Sequence, residues 1–262
     1  MKKALKITLV TLFWIGIWYL AVLIYSLIKG MDLSYNPLFP YPHDVIIRLF
    51  KLLLEPSFYL STVFSLLRII ASTVIATALG VLSAIVCSKI NFLNSLIKPL
   101  LATVKSVPVT VFVFILYLLV FDLTSMIITI LMVFPIVFAN VYEGIKNIDR
   151  DLLEVCQAYK IPRKKRIVSL YLPTVMPYFV SALTSAVGLA WKAGIAAEAL
   201  CPPENSMGLH ISLAKQNIDN EELFAWALTL VLINLVFEFV LKKIIRAVFK
   251  RYLPNEVQNE NK

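Results

Sequence analysis

The sequence predicts an all-α, polytopic membrane protein, on three observations. The chain is 60% hydrophobic with a mean hydropathy of +0.82, whereas soluble domains run at about 45–50% apolar. The excess falls in blocks of about 20 residues, the length a helix needs to cross ~30 Å of hydrocarbon at ~1.5 Å per residue. The short alternating segments that a transmembrane barrel requires are not found in the sequence. A net charge of +9 follows from cations gathered at the ends of the apolar blocks, where they set orientation, so nucleic acid is not an expected partner.

Taken in order, the first span is expected at residues 7–28. Its apolar core is longer than the ~7–15 residues of a signal-peptide h-region, and no small-x-small cleavage site follows, so it reads as a retained span. A stretch rich in proline and turn formers comes next, MDLSYNPLFPYPHD. DVIIRLFKLLLEP then reads as an interfacial helix, with Val45, Ile46, Leu49, Leu52 and Leu53 on one face and Arg48 and Lys51 elsewhere. The second span is expected at 61–87, and a short third at 107–121, opening at Pro108. Asp122 and Ser125 flank a tight turn into a fourth span at 126–142, which carries Pro135. The fifth and sixth are expected at 178–199 and 223–241.

Six spans put both termini on one side of the membrane. Lys2, Lys3 and Lys6 lead the chain, Lys89, Lys98 and Lys105 lie between spans two and three, and Lys242, Lys243, Arg246, Lys250 and Arg251 close it. The segment between spans four and five adds Lys146, Arg150, Lys160, Arg163, Lys164, Lys165 and Arg166, while the opposite loops hold only Lys29, Arg48, Lys51 and Lys215. Excess Lys and Arg marks the cytoplasmic side, so N- and C-termini are expected inside a cell membrane. Cys87 and Cys156 then face the cytoplasm and Cys201 the outside; no metal spacing and no intrachain disulfide is expected of them.

The segment between spans four and five includes EVCQAYKIPRKKRIVSLYLPTVMP. Leu152, Val155, Cys156 and Tyr159 fall at i, i+3, i+4 and i+7, one apolar stripe of a helix that Asp149 or Asp151 is placed to cap. Pro162 suits the first turn of a second helix holding RKKR, Ile167, Leu170 and Tyr171, and Pro173 and Pro177 mark the return to the membrane. Two readings of this helix–turn–helix are open. One is a basic loop lying on anionic lipid; the other is a docking element for a cytoplasmic protein, which accounts for its amphipathic stripe and its own carboxylates.

Small residues repeat every fourth position in span two (Ala76, Gly80, Ala84) and span five (Ala182, Ala186, Ala190, Gly194), the latter ending at Glu198. Such ridges let helices approach closely; packing inside one subunit is the reading for span two, and a subunit axis is open for span five. Charges inside spans need reasons. Arg68 either snorkels to headgroups or pairs with an acid. Glu238 stands four residues before Lys242, a favourable helix pair. Lys192 either lines a translocation path or pairs with another span or subunit; Glu198, six residues on, is poorly placed for it. His43 and His210 are lone, and a metal site needs about three protein ligands.

The segment resembles the EAA loop of ATP-binding-cassette importer permeases. Glu154-Val155-Cys156 stands for E-A-A, Lys160 for the glycine, and Leu170-Tyr171-Leu172-Pro173 for I-x-L-P. SLLRIIASTVIATALGVLSAIV, VKSVPVTVFVFILYLLVFD, VGLAWKAGIAAEAL and MGLHISLAKQNIDNEELFAWALTLVL resemble other parts of the family, the last two its nitrate/sulfonate/taurine subgroup. The resemblance implies a type I importer permease fold in a single domain, 1–262, with a core at about 57–247 and a cytoplasmic coupling loop at about 143–177. It implies that Asp151, Glu154, Val155, Ala158, Tyr159, Lys160, Pro162, Arg163, Leu172 and Pro173 couple to an ATPase, and that Lys192, Glu198 and Arg68 are candidates for the path. It implies a second permease copy, two cytoplasmic ATPase subunits and an extracytoplasmic solute-binding protein as partners. No G-x-x-x-x-G-K-[ST] stretch occurs, so ATP and Mg²⁺ are expected on the ATPase, with no cofactor and no catalysis on this chain. The rival class is an ion-coupled carrier using Arg68, Lys192 and Glu238 as its relay.

Overall fold

The structure, a computed structural model, describes residues 2–30 and 38–250 of the 262. The turn-rich reading of 31–37 and the tail cation Arg251 lie outside the described residues. Every regular element among the described residues is helical. The chain opens with α1 (Lys2–Lys29), the short α2 (Pro42–Leu52) and the long α3 (Pro56–Lys89). Then come α4 (Asn91–Ser106), α5 (Val109–Val120) and α6 (Thr124–Lys146). Helices α7 (Arg150–Ala158) and α8 (Arg163–Arg166) precede α9 (Leu172–Leu200), α10 (Met207–Gln216) and α11 (Asn220–Phe249).

Five stretches are long and apolar enough to cross a membrane: Thr8–Lys29, Pro56–Lys89, Val109–Lys146, Arg163–Leu200 and Asn220–Phe249. The expected third and fourth spans share the third stretch, which folds back on itself. Phe121, at φ 45°, ends α5, and Phe121–Leu123 makes a 3₁₀ turn that Thr124 braces by donating to the Phe121 carbonyl. Val113 of α5 shares a buried cluster with Ile128 and Met132 of α6, positions roughly equidistant from the turn, as an antiparallel pair requires. At 12 residues, α5 is about 18 Å long, short of the ~30 Å hydrocarbon thickness.

The core is a three-helix layer in which α6 packs along both α3 and α9. The small-residue stripes make this possible. Ala76, Gly80 and Ala84 of α3 and Ala182, Ala186, Ala190 and Gly194 of α9 are all buried. A Cβ on Gly80 would stand 2.9 Å from Val137 of α6, and one on Gly194 would stand 2.9 Å from Ile69 of α3 and from Thr129 of α6. Without lipid–water contrast between helices, such close backbone approach supplies much of the packing energy. The α9 stripe is therefore spent inside one subunit, which corrects the expectation that it was open to a subunit axis.

Helix α2 lies on α11 through Val45 and Leu52, both buried, and Leu49. Arg48 fixes the crossing by pairing with Glu222 and, at 3.5 Å, with Asp219. Ile46 is exposed with Ile47 and Phe50, so it does not share the packed face as expected; the tertiary contact selects the Val45–Leu49–Leu52 edge of a broad apolar surface. Lys242 reaches Glu238 at 2.8 Å, the expected pair one turn apart. Two helices stand where no helix was read, α4 between spans and α10 in the loop after α9.

Candidate functional site

Two polar regions stand at opposite ends of one helix. The first is an elbow built from α7 and α8. Asp149, rather than Asp151, caps α7: its carboxylate accepts the Asp151 N–H at 2.9 Å. No α7 residue is buried. Leu152, Val155 and Tyr159 are 49%, 48% and 79% exposed, Glu154 and Ala158 are exposed beside them, and Cys156 is half-buried. The helix is held to the body at its base, where Ile148 is buried and Asn147 donates to the Tyr178 hydroxyl at 3.0 Å.

The elbow turn is a complete Schellman motif. The Ile161 N–H reaches back to the Cys156 carbonyl and the Lys160 N–H to the Gln157 carbonyl, both at 2.9 Å. Lys160, at the αL position, has φ 48°. This is the place the resemblance assigns to glycine, and the backbone takes the glycine conformation although the residue is lysine. Pro162 follows at the N-cap of α8, at φ −58° and ψ 144°, one position before the first turn that was expected to hold it.

Beyond Pro162 the helix does not stop. Arg163–Leu200 is one continuous rod, interrupted only by a π turn at Ile167–Tyr171. Leu172 and Pro173 therefore lie within the span's own helix, which corrects the expectation of a separate second hairpin helix ending there. The reason is local. Proline removes one ladder donor and presses on the carbonyl four residues back; for Pro173 that carbonyl belongs to Ser169, inside the π turn, whose wider coil absorbs the clash.

The second region is a buried lock at the far end of α9. Glu198 is fully buried. The Ser65 hydroxyl of α3 donates to its Oε2 at 2.6 Å, and Arg68 Nη1 stands 3.6 Å from its Oε1. Arg68 also donates to the carbonyls of Glu204, at 2.7 Å, and Asn205, at 3.3 Å. Ser65 Oγ in turn accepts the Met207 N–H at 3.0 Å. Ser206 caps α10 by accepting the Leu209 N–H at 3.0 Å. Gly208 completes the contact: a Cβ there would be driven into the Glu198 carbonyl and Cβ atoms. Arg68 thus pairs with an acid rather than snorkelling alone, and the AEAL and MGLH stretches are adjacent in space.

Lys192 is brought to neither region. It is exposed and makes no ion pair among the described residues. Ser181, Ser185 and Ala196 are exposed with it, and Gly188 is half-buried between them. At 3.6 residues per turn these positions fall within about 80° of arc, a narrow stripe of small and polar residues along a membrane helix. His43 hydrogen-bonds Tyr19 at 2.9 Å; His210 bonds Ser61 at 2.9 Å and stacks on Trp226. Each histidine is occupied by packing partners.

The fold and these regions define a class: a multi-pass helical membrane protein whose basic segment is an exposed elbow. Comparison with known proteins gives the family. Residues 76–252 match the family of binding-protein-dependent transport system inner membrane components, and the chain belongs to it, as an ATP-binding-cassette importer permease of the inner membrane. It is 31% identical over 145 residues to the nitrate import permease protein NrtB of Synechococcus elongatus, covering 54% of this chain and 51% of that one. It is 29% identical over 149 residues to the bicarbonate transport system permease protein CmpB of the same species, covering 55% and 53%. The putative aliphatic sulfonates transport permease protein SsuC of Bacillus subtilis is 22% identical over 206 residues, covering 78% and 74%. The chain spans about half the length of the first two relatives.

Proposed function

We propose that this chain forms the translocation pathway for a small anion and is driven by a separate ATPase that docks on the α7–α8 elbow. The observation that carries this is the elbow itself: a capped, Schellman-closed helix presents Leu152, Val155 and Tyr159 to the outside with carboxylates alongside. Unsatisfied apolar surface rimmed by charge marks a protein-binding face. A plain lipid-facing loop has no need of so defined a turn.

In this reading six helices cross or enter the bilayer, with α5 entering part-way, and both termini lie in the cytoplasm, which the excess of Lys and Arg on that side supports. Two copies assemble with two ATPase subunits that hold ATP and Mg²⁺, and a solute-binding protein delivers substrate from outside. Asp151, Glu154, Val155, Ala158, Tyr159, Lys160, Pro162 and Arg163 form the docked face, and Leu172 and Pro173 carry its motion into the rod of α9. The names of the relatives, for nitrate, bicarbonate and sulfonates, support a small anion. So does Lys192, which makes no ion pair among the described residues and stands on the exposed stripe of small and polar residues; Arg68 and Glu198 hold the path's wall by holding each other. A carrier relay through Arg68 and Glu238 is disfavoured, because both are already paired.

The test is Glu154→Lys, read by substrate-stimulated ATP hydrolysis and uptake in reconstituted vesicles. Uptake is expected to fall about tenfold or more, the loss of roughly 1.4 kcal/mol of coupling, with the permease still folded and ATP hydrolysis no longer stimulated by substrate. Unchanged uptake overturns the docking role.

A further inference from the structure

Close to the elbow, the lower parts of α3, α6 and the α8–α9 rod enclose a cavity of about 540 Å³. Its walls are apolar, with Val81, Ile85, Ile145 and Phe179 among them, and its polar rim carries Lys89, Arg163 and Arg166. No carboxylate lines it, and none of the three cations makes an ion pair among the described residues. Arg166 donates only a long bond to the Ile161 carbonyl, 3.5 Å, and its buried Nε has no partner. A second, mainly apolar cavity of about 640 Å³, with Thr73 and Thr77 in its lining, lies between α3, α9 and α11. Val81 and Phe179 line both, so the two form one trough with a cationic end.

We propose that this trough binds an anionic glycerophospholipid, with its phosphate at Lys89, Arg163 and Arg166 and its acyl chains along α3, α9 and α11. The argument is one of matched shape and charge. Three cations from two chain segments line one end of an apolar groove in a membrane protein, and the buried, unpartnered Nε of Arg166 is costly unless an acceptor joins it. A phosphodiester supplies acceptor oxygens in the geometry that guanidinium groups favour. Two acyl chains supply the cover that the apolar part of the groove lacks. A soluble protein segment fits less well, because the groove runs along the length of the spans. Such a lipid would touch the π turn and both sides of the elbow's root, and it requires neither the ATPase nor transport.

The full chain, purified in mild detergent, is exposed to equimolar phosphatidylglycerol and phosphatidylcholine of the same acyl composition, and retained lipid is read by native mass spectrometry. Retention of phosphatidylglycerol is expected to exceed phosphatidylcholine by about tenfold or more, as clustered Lys and Arg attract anionic headgroups. The K89Q/R163Q/R166Q variant should bring the two lipids to near parity, while K164Q/K165Q, which removes two cations of the same helix that do not line the cavity, should leave the preference unchanged. Val81→Trp, which fills the joint between the cavities, should lower retention of both lipids. Equal retention by the wild-type chain overturns the proposal even if a variant fails to fold. So does an equal loss in the K164Q/K165Q control, which would mean general surface charge. Displacement of phosphatidylglycerol by excess inorganic phosphate also overturns it, leaving only an anion subsite. Uptake plays no part in this readout, so its failure and that of the docking reading are separable.

Discussion

The two ends of the Arg163–Leu200 rod treat the same kinds of residue in opposite ways. At one end Glu198 is buried, and Ser65, Arg68, Gly208 and the Ser206 cap close on it until three chain segments share one polar knot. At the other end Glu154, Lys164 and Tyr159 stand exposed on a stiff turn. The contrast teaches what each end is for. A buried charge persists where partners are supplied in place, and here Ser65 and Arg68 of the same chain supply them to Glu198. An exposed amphipathic helix of 9 residues is too short to be stable alone, so its caps and turn keep it shaped for something outside the chain.

This comparison is sharpest where a change should cost stability at one end and not the other. Arg68→Ala should be the most damaging, about 3–5 kcal/mol, because it leaves Glu198 buried without its countercharge. Thermal melting in detergent should show it, and the double change Arg68→Met, Glu198→Gln should recover most of the loss; a wild-type melt for Arg68→Ala would mean that the lock holds nothing. Gly208→Ala comes next at about 3 kcal/mol, since the obstructing atoms belong largely to the Glu198 backbone and overpacking there has little room to relax. Ser65→Ala should cost about 1–3 kcal/mol by orphaning the Met207 N–H and one Glu198 oxygen together. Smallest and opposite in sign is Lys160→Gly at the elbow. Removing the Cβ from the αL position should raise stability by about 0.5–1 kcal/mol, measured as slower proteolysis of the loop. A loss instead would mean that the Lys160 side chain, not its backbone, matters there.

Much of this was legible in the sequence. The positions of the long apolar stretches followed from block length, although the expected third and fourth spans fall in one stretch, and the elbow stripe followed from its spacing. The Glu238–Lys242 pair followed from its i,i+4 separation. Other features were not. Helix α4 was missed because Pro99 interrupts its apolar repeat. Helix α10 was not read from the sequence, although Ser206 ahead of Met207 is a usable cap signal. The elbow's second helix was ended too early because two prolines read as stops, when a π turn lets the rod pass them. Ile218, like Lys160, occupies a helix-ending αL position, φ 57°; no residue preference points to a β-branched side chain there.

By itself the sequence determined that this chain lives in a bilayer, where its long apolar helices lie along the chain, and which segment is basic, because hydropathy and helical period are local sums over neighbouring residues. Only the tertiary structure decided that Arg68 belongs to Glu198, that Gly208 is where α10 touches α9, and that the α9 stripe faces α3 and α6. Most of those facts join residues far apart in the chain, as Ser65 and Glu198 are joined in the same knot across 133 positions. A linear pattern can say that a charge must find a partner; only the packed helices say which one.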